Sequence, residues 1–222
     1  MKAMILAAGR GERMRPLTDE TPKPLLEAGG KPLVVWVIEA LARAGYTELV
    51  MNVSHLAERI ERALGNGHRW GVDIRYSREA EALETAGGIA TALALLGSEP
   101  FAVVNGDLHT DFDFRELAAP REALAHLVLV DNPPHHPGGD FALQDGRVAN
   151  EGASRLTFSG IGVYNPSLFA HIAAGTKYQL AAVLRPQIAA GRVTGEHFRG
   201  RWLDVGTPQR LAALDASLRS GG

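Results

Sequence analysis

This chain predicts an α/β layer fold with a mainly parallel sheet, on three observations. Short apolar runs of strand length alternate with helix-spaced segments from residue 3 to residue 107. A glycine-rich turn, Gly9 to Gly11, directly follows the first run, and a carboxylate, Asp107, ends the fourth. Ligands of such sheets bind at the carboxyl ends of the strands, where both features fall.

The elements follow in order. "KAMILAA" is a short apolar run stopped by Gly9 and reads as a buried parallel strand. "PLVVWVIEALARAG" has helical spacing between Pro32 and Gly45. "ELVMNV" is a second strand, and "SHLAERIERALGNG" a helix with Ser54 as its expected cap and Gly65 as its stop. "VDIRYS" is a third strand, "TAGGIATALALLG" a helix capped by Thr85, and "FAVVNGD" the fourth strand. The second half is less regular. "AHLVLV" and "LTFSGIGVYN" read as strands, and "FALQDGRVAN" as a hairpin about Asp145-Gly146. Asn165-Pro166 starts a helix, residues 178 to 190 form another that Pro186 should kink or break, "WLDVG" is a short strand, and Thr207-Pro208 opens a last helix to about Leu218. The antiparallel strands here imply a mixed sheet whose insertions cover the acceptor side of a cleft.

Composition narrows the function. Of 222 residues, 45% are hydrophobic and 22% charged, which is ordinary globular usage. A net charge of −2 carries no electrostatic footprint for nucleic acid. Without cysteine there is no disulfide framework, thiol nucleophile or thiolate metal site, and a reducing, cytoplasmic setting is the expectation. "MKAMILAAG" is too short and too soon followed by charges for a secretory leader or membrane span, so no membrane partner is expected. No G-x-S-x-G supports serine hydrolysis.

The chemistry-bearing residues cluster early. Gly9 and Gly11 allow a sharp turn and close backbone approach, and successive N–H groups in such a loop cradle phosphate oxygens. The pattern G-x-G-x-R is neither the dinucleotide fingerprint nor a P-loop, so a plain strand-to-helix turn with solvated arginines is the competing reading. Arg13 and Arg15 offer guanidinium forks, and Lys23 is a point charge held between Pro22 and Pro24. Asp107 and Asp204 each end an apolar run. Paired carboxylates suit Mg²⁺, which takes one or two of them and fills its shell with water and phosphate oxygens; alternatively each caps a loop. For Asp111 and Asp113 the cap is the better reading, and His135-His136, without a second ligand pair, reads as an ordinary surface loop.

"LAAGRGERMRPLTDETPKPL", followed by "ETAGGIATAL", "VVNGD", "FSGIGVY" and "WLDVGT", resembles the sugar-1-phosphate nucleotidylyltransferases, with the blocks in family order across essentially the whole chain. The resemblance implies one Rossmann-like three-layer αβα domain over residues 1–222. About 1–110 would serve the nucleotide and about 111–222 the sugar. It implies a reaction joining a nucleoside triphosphate to a sugar 1-phosphate with release of pyrophosphate. Carried over residue by residue, Ala7, Ala8, Gly9, Arg10 and Gly11 would hold the nucleotide. Arg13 and Lys23 would contact the phosphates, and Asp107 and Asp204 would ligate Mg²⁺. Glu79 falls where relatives place a base-reading glutamine, and Glu84, Thr85, Gly87, Gly88 and Asn105 would complete the nucleotide site. Gly139, Asp140, Glu151 and Gly160 would contact the sugar.

The chain departs from the family pattern in three places. The usual E-K-P is replaced by "ANEGAS", Glu84 stands where many relatives have glycine, and the chain ends soon after "DVGT", which implies a minimal catalytic domain acting as a monomer. "LETAGG", "NGDLHTDFDF" and "TGEHFRGRWLDVGTPQRL" resemble uridylyltransferases of cell-wall sugar recycling, which implies UTP as donor. Within the family, the alternatives are a mannose-1-phosphate guanylyltransferase or a glucose-1-phosphate uridylyl- or thymidylyltransferase. Outside catalysis, the alternative is an inactive nucleotide-sugar-binding protein. The presence of Arg13, Lys23, Asp107 and Asp204 together argues against the last. An acidic sugar would need a cationic partner, for which Arg155, Arg199 and Arg201 are the candidates.

Overall fold

The computed structural model describes residues 1–117, 119 and 122–220. In chain order its regular elements are β1 (Ala3–Leu6), the single turn α1 (Leu17–Glu20), β2 (Glu27–Ala28), β3 (Lys31–Pro32), α2 (Leu33–Arg43), β4 (Glu48–Val53) and α3 (Ala57–Leu64). There follow β5 (Asp73–Arg78), α4 (Glu84–Leu96), β6 (Phe101–Asn105), β7 (Leu108–Thr110) and β8 (Ala125–Val130). The last are β9 (Ala142–Gln144), β10 (Arg147–Ala149), β11 (Thr157–Tyr164), α5 (Leu180–Ala189), β12 (Val193–Phe198), β13 (Trp202–Asp204) and α6 (Pro208–Ser220).

Nine strands form one mixed sheet in the order β5-β4-β1-β6-β11-β8-β12-β10-β9. Strands β5, β4, β1 and β6 run parallel, and β11 returns antiparallel between β6 and β8. The alternation of side chains along each strand divides the core into two layers. Ala3, Ile5, Leu49, Met51, Ala102 and Val104 pack on the face that carries α2 and α3. Met4, Val50, Phe101 and Val103 pack on the opposite face with α4 and α5. Continuous apolar runs such as "AMIL" and "FAVV" are thus buried on both sides, as covered parallel strands require. The result is a single α/β domain.

Several element boundaries differ from the sequence reading. Ser54 does not cap α3, which opens two residues later after Leu56, held in a left-handed conformation (φ 54°). Thr85 is not a cap either, because α4 already begins at Glu84, itself left-handed (φ 61°). Pro186 sits inside α5 without ending it. Val183, Leu184 and Ile188 bury that helix against the sheet, and this packing offsets the cost of an interior proline, its lost hydrogen bond and ring clash together, about 3 kcal/mol. β12 escaped the sequence reading because "VTGEHF" lacks an apolar run. Its place comes from six parallel partners along β8, from Val193↔Ala125 to Phe198↔Val130.

Outside the main sheet, β13 pairs with β7 antiparallel, setting Asp204 opposite Leu108. The Val205 N–H donates to the Asp107 carbonyl at 3.0 Å. Two aspartates 97 positions apart are thereby brought to neighbouring strand ends. A separate apolar cluster of Met14, Leu26, Leu33, Val205 and Leu214 pins α6 beneath the N-terminal loop.

Candidate active site

A cleft opens at the carboxyl ends of β1, β4 and β6. Its first cavity, about 340 Å³, is lined by Ala7, Ala8, Gly9, Lys23, Asn52, Glu79, Glu84, Thr85, Asn105, Asp107 and Lys177 among others. That size accommodates a small ligand group such as a nucleoside. The two glycines of the loop act differently. Gly9 lines the cavity with open space where a side chain would start. Gly11 has φ +67°, and a Cβ there would stand 2.9 Å from Thr18 Cγ2 and 3.1 Å from Lys23 Cβ. It lets the loop close onto the segment that carries Lys23. Arg10 is exposed and does not line the cavity.

A buried polar chain holds the wall of this cavity. The Ala7 N–H donates to Asn52 Oδ1 at 2.9 Å, and Asn52 Nδ2 donates to Glu79 Oε1 at 2.7 Å. The Leu83 N–H donates to Glu79 Oε2 at 3.0 Å. Glu79 therefore accepts from two fixed donors, one at each carboxylate oxygen, which an amide side chain could not do. Burial pushes its carboxyl above the usual range, and the Asn52 and Leu83 hydrogen bonds offset part of that rise.

Gly88 makes room for this chain, since a Cβ there would stand 2.7 Å from Glu79 Oε1. A Cβ at Gly87 would stand 2.1 Å from the Thr176 carbonyl. Tyr178 O accepts the Ala86 and Gly87 N–H groups, tying the 173–179 segment to the start of α4. That segment delivers Lys177 to the cavity, a cation the sequence reading missed. The two glycines of "TAGG" build the wall without lining it.

Both metal-candidate carboxylates hold cations in the structure. Asp107 pairs with Lys23 Nζ. Asp204 Oδ1 accepts from Arg210 in the first turn of α6 at 2.5 Å, and His135 Nε2 lies 3.2 Å from the same oxygen. Arg210 also donates to the Asp204 carbonyl at 3.0 Å. The donor set fits Mg²⁺, because two hard carboxylate oxygens from adjacent strand ends leave the remaining positions to water and phosphate. Among the described residues no group of three or more His, Cys, Asp or Glu gathers to hold a metal alone. Sequence reasoning missed Arg210. His135 and His136 lie in a surface loop, as expected, and border the site, with His136 Nε2 3.1 Å from Asp140 Oδ1.

Two further cavities adjoin the first. One, about 360 Å³, is lined by Arg13, Asn105, His135, His136, Asp140, Phe158, Trp202 and Asp204 among others. Arg13 thus faces the Asp204 side of the cleft. The other, about 240 Å³, lies between β11 and α5, with Asp140, Phe158 and Gly160 among its lining. Asn105 lines all three. Gly160 (φ +79°) is what admits it, because a Cβ there would stand 2.4 Å from Asn105 Nδ2. Gly139 (φ +59°) is buried against Arg155 and Asn132, so it shapes the turn that presents Asp140. The Asp140 Oδ2 accepts from the Phe158 N–H at 2.8 Å. Glu151 is exposed and lines none of these three cavities.

Residues 2–220 match the family model described as nucleotidyl transferase. The chain belongs to the nucleotidyl transferase family. It is 55% identical to the N-acetylmuramate alpha-1-phosphate uridylyltransferase of Neisseria meningitidis serogroup B, over 97% of both chains. It is 32% identical to the mannose-1-phosphate guanylyltransferase catalytic subunit beta of Drosophila melanogaster, over 94% of this chain and 60% of that one. A putative glucose-1-phosphate thymidylyltransferase from Bacillus anthracis superimposes with a TM-score of 0.87 at 23% identity, covering 99% of this chain and 95% of that one. This last likeness concerns the fold. In this nucleotidyl transferase, a loop after the first strand, a lysine between prolines and two aspartates on paired strand ends meet at one cleft.

Proposed function

We propose that the protein transfers the uridylyl group of UTP to N-acetylmuramate 1-phosphate, giving UDP-N-acetylmuramate and pyrophosphate. The observation that carries the transfer chemistry is the Lys23–Asp107 pair in a nucleoside-sized cavity, with Asp204 on the neighbouring strand end in the adjoining cavity. The choice of base and sugar rests on the 55% identity to the Neisseria enzyme.

In this reading the uridine enters the cavity walled by Ala7, Ala8, Gly9, Glu79, Glu84 and Thr85, where a Glu79 oxygen accepts the uracil N3–H. The triphosphate runs past Lys23 toward Asn105. An oxygen of the sugar phosphate attacks the α-phosphorus, a new phosphorus–oxygen bond forms, the bond to the β-phosphate oxygen breaks, and pyrophosphate leaves. Two anions must approach, so positioning and charge neutralisation dominate the barrier. Asp107 and Asp204 would hold Mg²⁺, which when bound neutralises phosphate charge. Lys23 and Arg210 balance those carboxylates without it. Arg13, facing the Asp204 side, steadies the phosphates by a guanidinium fork. Asp140 and Gly160 border the sugar's space.

Pyrophosphate release over four nucleoside triphosphates and several sugar 1-phosphates, with and without Mg²⁺, tests this. UTP with N-acetylmuramate 1-phosphate should be the fastest pair, and it should need Mg²⁺. A preference for GTP with mannose 1-phosphate overturns the assignment, and no turnover with any pair favours a binding protein.

A further inference from the structure

The geometry points to Arg185 and the 240 Å³ cavity between β11 and α5 as the subsite that recognises an acidic, methyl-bearing substituent on the sugar. This inference rests on the proposed function and names a residue that neither the sequence reading nor the family resemblance singled out. The cavity's walls are largely apolar: Phe141, Phe158, Leu180, Ala181 and Leu184. Arg185 lines it from α5. Its guanidinium carbon lies 5.6 Å from the centroid of the Phe141 ring, which orients the group.

Arg185 makes no ion pair among the described residues. The cavity's own carboxylate, Asp140, is already engaged by His136 and the Phe158 N–H. An exposed guanidinium at the edge of aromatic and aliphatic walls fits a ligand that is anionic at one atom group and apolar beside it. A lactyl ether, with a carboxylate and a methyl on one carbon, has that chemistry.

The other cationic candidates are placed elsewhere. Arg155 donates to the Asp140 carbonyl at 2.7 Å, and Arg155, Arg199 and Arg201 line none of the cleft's three cavities.

The test compares N-acetylmuramate 1-phosphate with N-acetylglucosamine 1-phosphate, which lacks only the lactyl ether, at saturating UTP. The ratio of kcat/KM values is measured for wild type, Arg185→Gln and Arg185→Lys. Wild type should favour the lactyl sugar. Arg185→Gln should lower the ratio about tenfold to a hundredfold, mainly through KM for the lactyl sugar, and Arg185→Lys should retain part of it. An unchanged ratio in Arg185→Gln, with wild-type thermal stability, overturns the inference and leaves uridylyl transfer standing. Equal losses on both sugars also overturn it, since they place Arg185 in a general structural role. A wild type without preference for the lactyl sugar overturns both this inference and the proposed sugar.

Discussion

The two ends of the cleft are built by different means. The end that the proposed function gives to the nucleotide is assembled from backbone groups and short polar side chains at consecutive strand ends: the Gly9 loop after β1, Asn52 in β4, Glu79 after β5 and Asp107 after β6. Its parts are locked by a continuous hydrogen-bond chain and an ion pair. The far end is walled by large side chains from α5, β11 and the loop before β9, and its polar groups are fewer. A rigid, donor-rich end suits phosphate chemistry, which needs fixed charge. An apolar end with one free guanidinium suits discrimination, which needs shape. Substitutions at the first end should therefore act on kcat, and those at the second on the relative KM of sugars.

The strongest way to break that contrast is at the carboxylates. Asp107→Asn and Asp204→Asn should each lower kcat about a hundredfold or more, on the order of 3 kcal/mol of barrier, with the fold intact by circular dichroism. A near-wild-type rate in either variant removes that residue from the reaction centre. Lys23→Ala should cost about as much, roughly a hundredfold in kcat/KM, because a charge facing the phosphates is lost. If the loss appeared only in the KM for the sugar, the division between the two ends would fail.

Gly160→Ala probes the junction. The added methyl collides with Asn105, and the left-handed backbone there disfavours any side chain. We expect about 1–3 kcal/mol of lost stability by thermal melting, with weaker binding of both substrates. An effect on the sugar alone would place Asn105 outside the nucleotide end.

Glu79→Gln should leave one of two donors unpaired, at about 1–3 kcal/mol, because Asn52 cannot flip while its Oδ1 holds the Ala7 N–H. The wild-type chain adds a pH dependence. Burial raises the Glu79 carboxyl, so the folded chain keeps that proton above the pH at which the unfolded chain loses it. Wild-type stability consequently falls as pH rises through the window just above the ordinary carboxylate value. The variant has no such proton, so its deficit against wild type should shrink across that window. A deficit that grows with pH would show that Glu79 is held as a favoured anion. The smallest effect is expected for Glu84→Gly, which relieves a left-handed glutamate at the start of α4 and should raise stability by about 1 kcal/mol.

The legibility of these two ends in the sequence differs for a physical reason. Gly9, Gly11, Lys23 between its prolines, and Asp107 at a strand end are local signals, since backbone freedom, backbone restriction and strand termination are each written within a few residues. The covered parallel strands were equally legible as apolar runs. Arg185, Lys177 and Arg210 carried no such mark, because an arginine or lysine on a helix or loop looks the same whether it faces water or a cleft. The histidines of "NPPHHPGG" do lie at the surface, but nothing nearby in the chain reveals that Asp204 and Asp140 sit beside them.

Local chemistry was enough to establish the α/β layering and to single out the glycine loop and the carboxylates to which the proposed function gives the phosphate and Mg²⁺ roles. Packing alone decided the rest. The β7–β13 ladder brought Asp204 to Asp107, six pairings on β8 recruited a strand without an apolar run, and burial of Val183, Leu184 and Ile188 carried α5 through Pro186. Each of these depends on contacts between residues far apart in the chain, whose free energy no local pattern contains.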